Sequence, residues 1–283
     1  MELSLVIGTY NQKEVLKKAL LSLFLQTVSP EKYEIQLIDS SSTDGTDAMV
    51  EQLTPTCRFN YLRVPNRGKA AARNIGIGEA KGKIILLTDA DMIANPQLVG
   101  EHLAAREKYK NGACEGLTIN PDGQPYIRAK LKAGQKITWA YFLTGNLSLE
   151  KESLLKAGLF DEAFTGYGWE DLELGYRLHK MGVPLYYLPS AINYHDHPVT
   201  NEDMVKRKFA MGQAAALFYK KHPSLAVKYF LGMNPLAMGI FHLIKKSPRL
   251  QKHLSHQAGH LAIGQYLLEE YQYRLGLEEG LSS

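Results

Sequence analysis

An apolar stretch that ends in two carboxylates lies in the first third of the chain, at Lys83-Ile84-Ile85-Leu86-Leu87-Thr88-Asp89-Ala90-Asp91. Its run of large apolar residues predicts a buried strand over residues 83–88. Ionised groups at the mouth of such a strand must be solvated, paired or bound to a metal. Because one residue separates them, Asp89 and Asp91 can both reach one divalent cation, the usual arrangement for phosphate-bearing ligands. A D-x-D triplet alone is also common in surface turns, so its surroundings matter.

Strands and helices alternate along most of the chain. Apolar runs predict strands at residues 3–7, 33–39, 58–64, 144–149 and 185–188. Helical spacing predicts helices at residues 14–26, 151–157 and 171–180. Two further helices are predicted, one that begins near residue 46 and one that follows residues 66–68 and ends at residue 80. The alternation predicts an α/β fold, a doubly wound and mostly parallel sheet with helices on both faces and its ligand at the carboxyl ends of the strands. Four polar residues at those ends predict a nucleotide pocket: Thr9, Asp39, Asn66 and Asp89.

Composition limits the class of protein. The 283 residues, 45% hydrophobic and 22% charged, suffice for one large α/β domain with an appendage. A net charge of +4 argues against a dedicated nucleic-acid binder, so no nucleic acid is expected as a partner. Cys57 and Cys114 form no disulfide framework and lack metal-ligand spacing, which suits a reducing compartment. The N-terminus enters a strand pattern without a basic flank or cleavage site, so we predict no secretory signal and expect a cytoplasmic location.

The tail beyond residue 200 has a different charge balance. Residues 201–260 contain ten Lys and Arg against two acids, and residues 204–221 predict an amphipathic helix. Residues 225–244 are largely apolar and about as long as a bilayer span, but Pro235 and several polar residues interrupt them. We therefore predict an interfacial or packed pair of helices, whose flanking cations suit an anionic membrane surface. A helical cap packed on the core is the alternative.

Taken in order and spacing, seven segments make the chain similar to the inverting family 2 glycosyltransferases with the GT-A fold. The likeness runs from Leu3 to about His197. It implies a GT-A domain over residues 1–200 that binds nucleotide-sugar and acceptor, followed by a helical extension over residues 201–283. The segments that carry it are VIGTYN (6–11), DSSSTDGT (39–46), NRGKAAARNIG (66–76), TDAD (88–91), GNLSL (145–149), GLFD (158–161) and GWEDLEL (168–174).

The resemblance implies that a nucleoside diphosphate sugar, with a leaning to a UDP-sugar, binds at the strand ends. A carboxylate such as Asp39 suits the ring N–H of a uracil-like base, and a helix N-terminus with nearby cations favours phosphate. Helix capping by Asp39, and a solvated face for Lys69 and Arg73, are the structural alternatives. The implied nucleotide-sugar residues are Thr9, Tyr10, Asn11, Asp39, Asn66, Lys69, Arg73, Asp89 and Ala90.

The resemblance also implies a metal and a base. Asp91 and His195 would hold Mn2+ or Mg2+, with His197 as the alternative ligand to His195. Asp171 would act as the general base, and Glu170 would hold an acceptor hydroxyl. Tyr167 and Trp169 would stack on a sugar of the acceptor, and with Glu170 they are the implied acceptor-binding residues. The alternative reading of Glu170 and Asp171 is that acids simply begin a helix.

The predicted function is therefore metal-dependent, inverting sugar transfer to a hydroxyl of a glycan or lipid-linked acceptor. The enzymes that the chain resembles commonly serve polysaccharide or glycolipid synthesis in the cell envelope, so peripheral association with the inner face of the plasma membrane is expected. A sugar-nucleotide nucleotidyltransferase is the second possibility, but the turn at residues 8–11 lacks a basic loop. A non-catalytic binding module is the third, and Asp91, Glu170, Asp171 and His195 argue against it.

Overall fold

The computed structural model describes residues 1–196, 201–258 and 262–283. The chain forms two compact units. The first comprises Met1–Thr165 and Asp171–Pro198, and the second comprises Gly166–Glu170 and Val199–Ser283. The break after Pro198 lies near the predicted boundary at residue 200, and the short segment 166–170 groups with the tail.

The first unit is built on a nine-stranded sheet with the order β3-β2-β1-β4-β8-β6-β9-β5, with β7 paired to β9. Strands β3, β2, β1 and β4 are mutually parallel, as the alternation predicts, whereas β8 runs antiparallel to both β4 and β6. The strands are β1 (Leu3–Thr9), β2 (Tyr33–Asp39), β3 (Arg58–Arg63), β4 (Ile84–Asp89), β5 (Met92–Ala94), β6 (Ala113–Ile119), β7 (Lys136–Ile137), β8 (Asn146–Glu150) and β9 (Leu185–His195).

Helices cover both faces of this sheet, which confirms the predicted α/β architecture. Side chains alternate along β1, so Leu5 packs in the core that contains α1 and Val6 in the core that contains α3. The two cores account for the apolar runs of β1 and β4, because these central strands are buried on both faces. The helices of this unit are α1 (Lys13–Phe24), α2 (Thr46–Glu51), α3 (Lys69–Glu79), α4 (Leu98–Lys108), α5 (Lys151–Ala157) and α6 (Glu170–Lys180), whose first residue belongs to the second unit.

Strand β9 is longer than the sequence predicts. The apolar pattern ends at Leu188 because Pro189 follows, yet the strand continues to His195. Its register against β6 shifts between Gly116 and Leu117, so the proline lies in a bulge, where its missing N–H breaks no ladder. This extension brings His195 opposite Met92 of β5.

The second unit is helical, which confirms the predicted helix at residues 204–221 and the predicted helix pair within 225–244. Its two long helices approach closely at Gly212 and Gly276, where an added Cβ would collide with the backbone of the facing helix. Within the described ranges, no helix is both long and apolar enough to cross a bilayer. The helices are α7 (Asn201–Lys221), α8 (Leu225–Phe230), α9 (Pro235–Lys245), α10 (Pro248–Ala258) and α11 (Ala262–Ser282).

Candidate active site

The turn from β4 to β5 carries the two carboxylates of the D-x-D triplet. Asp89 is the last residue of β4, Ala90 is buried, and Asp91 directly precedes β5. Oδ2 of Asp91 lies 3.2 Å from Nε2 of His195, and the backbone carbonyl of Asp91 accepts a hydrogen bond from the N–H of Asp196. The antiparallel pairing of β5 with β9 therefore fixes both the backbone and the side chains of this pair.

One carboxylate oxygen of Asp91 is available to a ligand. Its Oδ1 is buried and accepts no hydrogen bond from the part of the chain that the structure describes. A carboxylate beside an imidazole is a donor set that suits Mn2+. Residues 1–196, 201–258 and 262–283 contain no cluster of three His, Cys, Asp or Glu side chains, so a metal here would also need oxygens from water or substrate phosphates. His197, the alternative ligand, lies outside the described residues.

Asp89 is held by two cations from the start of α3. Its Oδ1 lies 2.7 Å from a guanidinium nitrogen of Arg73 and 3.0 Å from Nζ of Lys69. Burial alone would raise the pKa of Asp89, but the charges of Lys69 and Arg73 lower it to about 2. Arg73 is fully buried and also lies over the ring of Phe160. These contacts join two predicted phosphate-binding cations to the carboxylate that ends β4, so neither side chain is merely a solvated face.

The turn after β1 is fixed by the loop after β2. Asn11 adopts the left-handed conformation, with φ 52°, and its N–H donates to Oγ of Ser42 while its Oδ1 accepts from the N–H of Thr43. Tyr10 is exposed at the same turn, and the structure gives the buried hydroxyl of Thr9 no hydrogen-bond partner in the ranges it describes. The three residues therefore form one ordered rim, with an exposed aromatic ring and a hydroxyl that has no hydrogen-bond partner in the described ranges.

Asp39 is fully buried at the end of β2 and does not cap a helix. Its Oδ1 accepts from the N–H of Ser42 and its Oδ2 from the hydroxyl of Tyr61. Burial is the main cause that raises the pKa of Tyr61, and the hydrogen bond to the Asp39 carboxylate raises it further, so that hydroxyl remains a donor. Asn66 similarly accepts from the N–H of Gly68, at the start of α3. The base-binding roles of Asp39 and Asn66 stay predictions.

The candidate base lies at the start of α6, near a carboxyl group that the sequence analysis missed. Asp171 is half-buried, and its Oδ1 accepts from the N–H of Leu172. Glu115 of β6 is buried and its Oε2 accepts from the N–H of Leu143. Burial raises the pKa of Glu115 well above its ordinary range, and the charge of Asp171 raises it further. An acidic residue inside the apolar strand pattern of residues 113–117 was the available signal.

The segment before Asp171 belongs to the second unit. Trp169 has a positive φ of 72°; its indole N–H donates to the carbonyl of Met211, and its ring meets Phe218 and Phe230 edge-on. Tyr167 is exposed, with the guanidinium of Arg207 over its ring, and Glu170 is buried. These contacts hold the Trp169 ring within the helical unit, and stacking of Tyr167 and Trp169 on a sugar stays a prediction.

A buried polar network that no sequence motif predicts supports the middle of the sheet. The ring nitrogens of His102 lie 2.8 Å from Oγ of Ser148 and 2.8 Å from Oδ1 of Asn146. Burial lowers the pKa of His102 to about 4, so the imidazole is neutral at pH 7. Asn146 also donates to the carbonyl of Ala191, across the bulge in β9. The network therefore joins α4 and β8 to the strand that carries His195.

Comparison with known proteins identifies the family. The model of "Glycosyl transferase family 2" matches residues 4–155, which include the strand ends and the D-x-D triplet. The chain belongs to glycosyl transferase family 2. A second model, described as "N-terminal domain of galactosyltransferase", matches residues 125–199 of this family 2 chain.

The relatives of this family 2 chain are named as glycosyltransferases. It is 31% identical to validoxylamine A glucosyltransferase of Streptomyces hygroscopicus subsp. limoneus, over 81% of the chain and 58% of that protein. It is 25% identical to chondroitin synthase of Escherichia coli, over 78% of the chain and 38% of that protein. The chain thus spans less than two thirds of the length of these relatives.

Solved structures share the GT-A fold of this family 2 chain. A mannosyltransferase from Pyrobaculum calidifontis, in complex with GDP-Man and Mn2+, superposes with a TM-score of 0.70 at 19% identity and covers 99% of this chain and 87% of its own. TarS 1–349 of S. aureus in complex with UDP gives a TM-score of 0.62 at 17% identity, and the superposition covers 99% of this chain and 91% of the TarS chain. At these identities the likeness concerns the fold, and the predicted GT-A architecture is confirmed.

Proposed function

We propose that this chain transfers a sugar from a nucleoside diphosphate sugar, with inversion, to a hydroxyl of a glycan or lipid-linked acceptor. The observation that carries the proposal is the pair formed by Asp91 and His195 at the carboxyl end of the sheet, where Oδ1 of Asp91 has no hydrogen-bond partner among the described residues. In a doubly wound sheet this is the edge where ligands bind. Membership of glycosyl transferase family 2 agrees with it.

The metal site would be formed by Asp91 and His195, and the remaining ligands would come from water and the diphosphate of the donor. Mn2+ or Mg2+ bound there would neutralise the charge that grows on the leaving diphosphate. Asp89 is engaged differently, because Lys69 and Arg73 occupy its Oδ1. We assign Asp89 to the ribose or to a metal-bound water, and the two cations to the phosphates as well as to Asp89.

For the nucleotide we propose a uridine diphosphate carrying a hexose or an N-acetylhexosamine. The exposed ring of Tyr10, the unsatisfied Thr9 hydroxyl and the backbone around Asn11 offer stacking and hydrogen bonds at the base-binding end. Asp39 would accept the ring N–H of the base in exchange for one of its present donors, Ser42 or Tyr61. The complexes of similar folds contain UDP, UDP-GlcNAc or GDP-Man, which is the range of donors that a binding experiment must cover.

For the chemistry we propose a single displacement with Asp171 as the base. The carboxylate of Asp171 takes the proton of the acceptor hydroxyl while the acceptor oxygen attacks the anomeric carbon. The bond from that carbon to the diphosphate oxygen breaks on the opposite face, and the nucleoside diphosphate leaves with the electron pair. Glu170 would accept a hydrogen bond from the acceptor. Asp171 must be ionised for this role, and burial, which raises the pKa of Glu115, disfavours a second negative charge beside it.

Donor turnover tests the proposal. The whole chain is incubated with UDP-, GDP- and TDP-sugars in Mn2+, Mg2+ or EDTA, and released nucleoside diphosphate is measured. We expect release from one donor, its loss in EDTA, and its loss in Asp91→Asn but not in Asp122→Asn, which changes an exposed turn carboxylate. If the chain neither binds nor turns over any donor, the proposal is overturned in favour of a non-catalytic module. Turnover that is unchanged in EDTA would remove the metal from it.

A further inference from the structure

The helical unit contains a long segment without negative charge. Residues 204–268 include ten Lys and Arg and not one Asp or Glu. Within them, α8, α9 and α10, with the residue that caps α9, contribute Lys228, Lys245, Lys246, Arg249 and Lys252. A face built from these helices therefore has a positive potential that attracts anionic partners.

Helix α9 presents an apolar stripe to solvent. Leu236, Ile240 and Leu243 are spaced i, i+4, i+7, and their exposed fractions are 75%, 52% and 64%. This spacing places all three on one side of the helix. Large aliphatic side chains scattered singly on a surface need no explanation, but three in register along one helix form a continuous contact face.

The opposite side of α9 is fixed, so the stripe is a permanent surface feature. Phe241 is buried and its ring lies 5.6 Å from that of Tyr271 in α11. Lys245 and His242 pair with Glu278 of α11. At the first turn, Oδ1 of Asn234 accepts from the N–H of Ala237 and caps the helix. The helix thus uses its inward residues for packing and leaves Leu236, Ile240 and Leu243 outside.

Cations follow the stripe directly. Lys246, Arg249 and Lys252 lie at the end of α9 and along α10, all three exposed, and none has an ion-pair partner among the described residues. The pairing of Lys245 with Glu278 shows the contrast, since that cation is neutralised within the unit. Apolar side chains next to unpaired cations are the pattern of helices that lie in a membrane interface.

We propose that α9 and the start of α10 dock this protein onto an anionic phospholipid bilayer, with Leu236, Ile240 and Leu243 inserted between headgroups and Lys246, Arg249 and Lys252 at the phosphates. A second copy of the chain fits this face less well, because it would bring like charges together and residues 204–268 contain no acid to pair with them. The inference goes beyond the proposed function, because it concerns where the protein lies and not whether it transfers sugar. Docking would place the enzyme at the surface where a lipid-linked acceptor resides.

Vesicle flotation of the whole chain tests the docking face. Vesicles of phosphatidylcholine alone are compared with vesicles that also contain phosphatidylglycerol. We expect flotation with the anionic vesicles only, and a fall in binding as salt is raised. Lys246→Gln/Arg249→Gln/Lys252→Gln should lower the partition coefficient about a hundredfold. Leu236→Ser/Ile240→Ser/Leu243→Ser should abolish flotation.

Matched controls and a second readout keep the test decisive. Leu25→Ser/Leu155→Ser removes exposed leucines of the first unit, and Lys17→Gln/Lys110→Gln/Lys180→Gln removes exposed lysines there; both should float like the wild type. Absence of flotation in the wild type would overturn the proposal. A wild type that is dimeric in solution and a triple serine variant that is monomeric would assign the stripe to a second copy instead. Donor hydrolysis without vesicles should be equal in all variants, so failure of docking is distinguishable from failure of the proposed function.

Discussion

His195 lies with Nε2 3.2 Å from Oδ2 of Asp91, although 104 residues separate the two in the chain. The pairing of Met92 with His195 in the β5–β9 ladder sets this distance, and the second carboxylate oxygen of Asp91 remains buried without a partner in the described ranges. An unsatisfied buried oxygen costs free energy unless a ligand completes it. We therefore expect this site to gain stability when a cation binds.

Replacement of either residue of this pair should weaken metal binding. We expect His195→Ala and Asp91→Asn each to lower the affinity for Mn2+ in the presence of UDP at least about tenfold, because each removes one of the two proposed protein ligands. Electron paramagnetic resonance of free Mn2+ measures this without any turnover. His179→Ala changes an exposed histidine of α6 and should leave the affinity unaltered. Equal Mn2+ affinity in His195→Ala and the wild type would exclude His195 as a ligand.

The sequence predicts the parallel half of the sheet well, and the reason is local. Strands β1 and β4 are short apolar runs, and helices separate all four strands from β1 to β4, an alternation that predicts a parallel sheet. The mixed half is less accessible, because an apolar run such as β8 does not encode the direction in which it pairs. His195 was matched to Asp91 through family resemblance and not through spacing, since the apolar pattern stops at Pro189 and the bulge that extends β9 leaves no local signal.

The two cations on Asp89 should contribute unequally to stability. Arg73 is fully buried, so Arg73→Met leaves a partly buried carboxylate without its main partner and should cost about 3 kcal/mol of unfolding free energy. Lys69 is half-exposed, and Lys69→Met should cost less than about 1 kcal/mol. Urea unfolding at pH 7 measures both values. Costs of equal size in the two variants would contradict the assigned burial.

The same ion pairs predict how the free energy of unfolding falls at acid pH. The pKa of Asp89 is about 2 in the folded chain, against 3.8 ordinarily, so the unfolded state binds the proton first. The stabilisation is therefore complete above about pH 4 and is lost as the pH falls towards 2. We expect the difference in stability between the wild type and Arg73→Met to shrink over that window. A difference that is constant from pH 5 to about pH 2 would show that Asp89 is not the partner that matters.

Glu115 predicts the opposite pH dependence. Burial raises the pKa of its carboxyl well above the ordinary value in the folded chain, whereas the unfolded chain releases the proton near pH 4.5. Folding then takes up a proton, so stability falls as the pH rises above 4.5 and towards the raised pKa. Glu115→Gln should remove this loss, and its advantage over the wild type should grow by up to about 1.4 kcal/mol per pH unit. Thermal unfolding between pH 5 and about pH 8 measures it, with Glu152→Gln as an exposed control.

Asp171 separates the proposed chemistry from donor binding. In Asp171→Asn the amide cannot take the proton of the acceptor hydroxyl, so transfer should fall by about two to four orders of magnitude. The residue is not among those proposed to bind the nucleotide, so the dissociation constant of the donor, measured by calorimetry, should stay within about twofold of the wild type. A product of the wild type with inverted anomeric configuration, read by NMR, would complete the case for a single displacement. Transfer at the wild-type rate in Asp171→Asn would show that another group is the base, and loss of donor affinity together with activity would indicate a structural role at the start of α6.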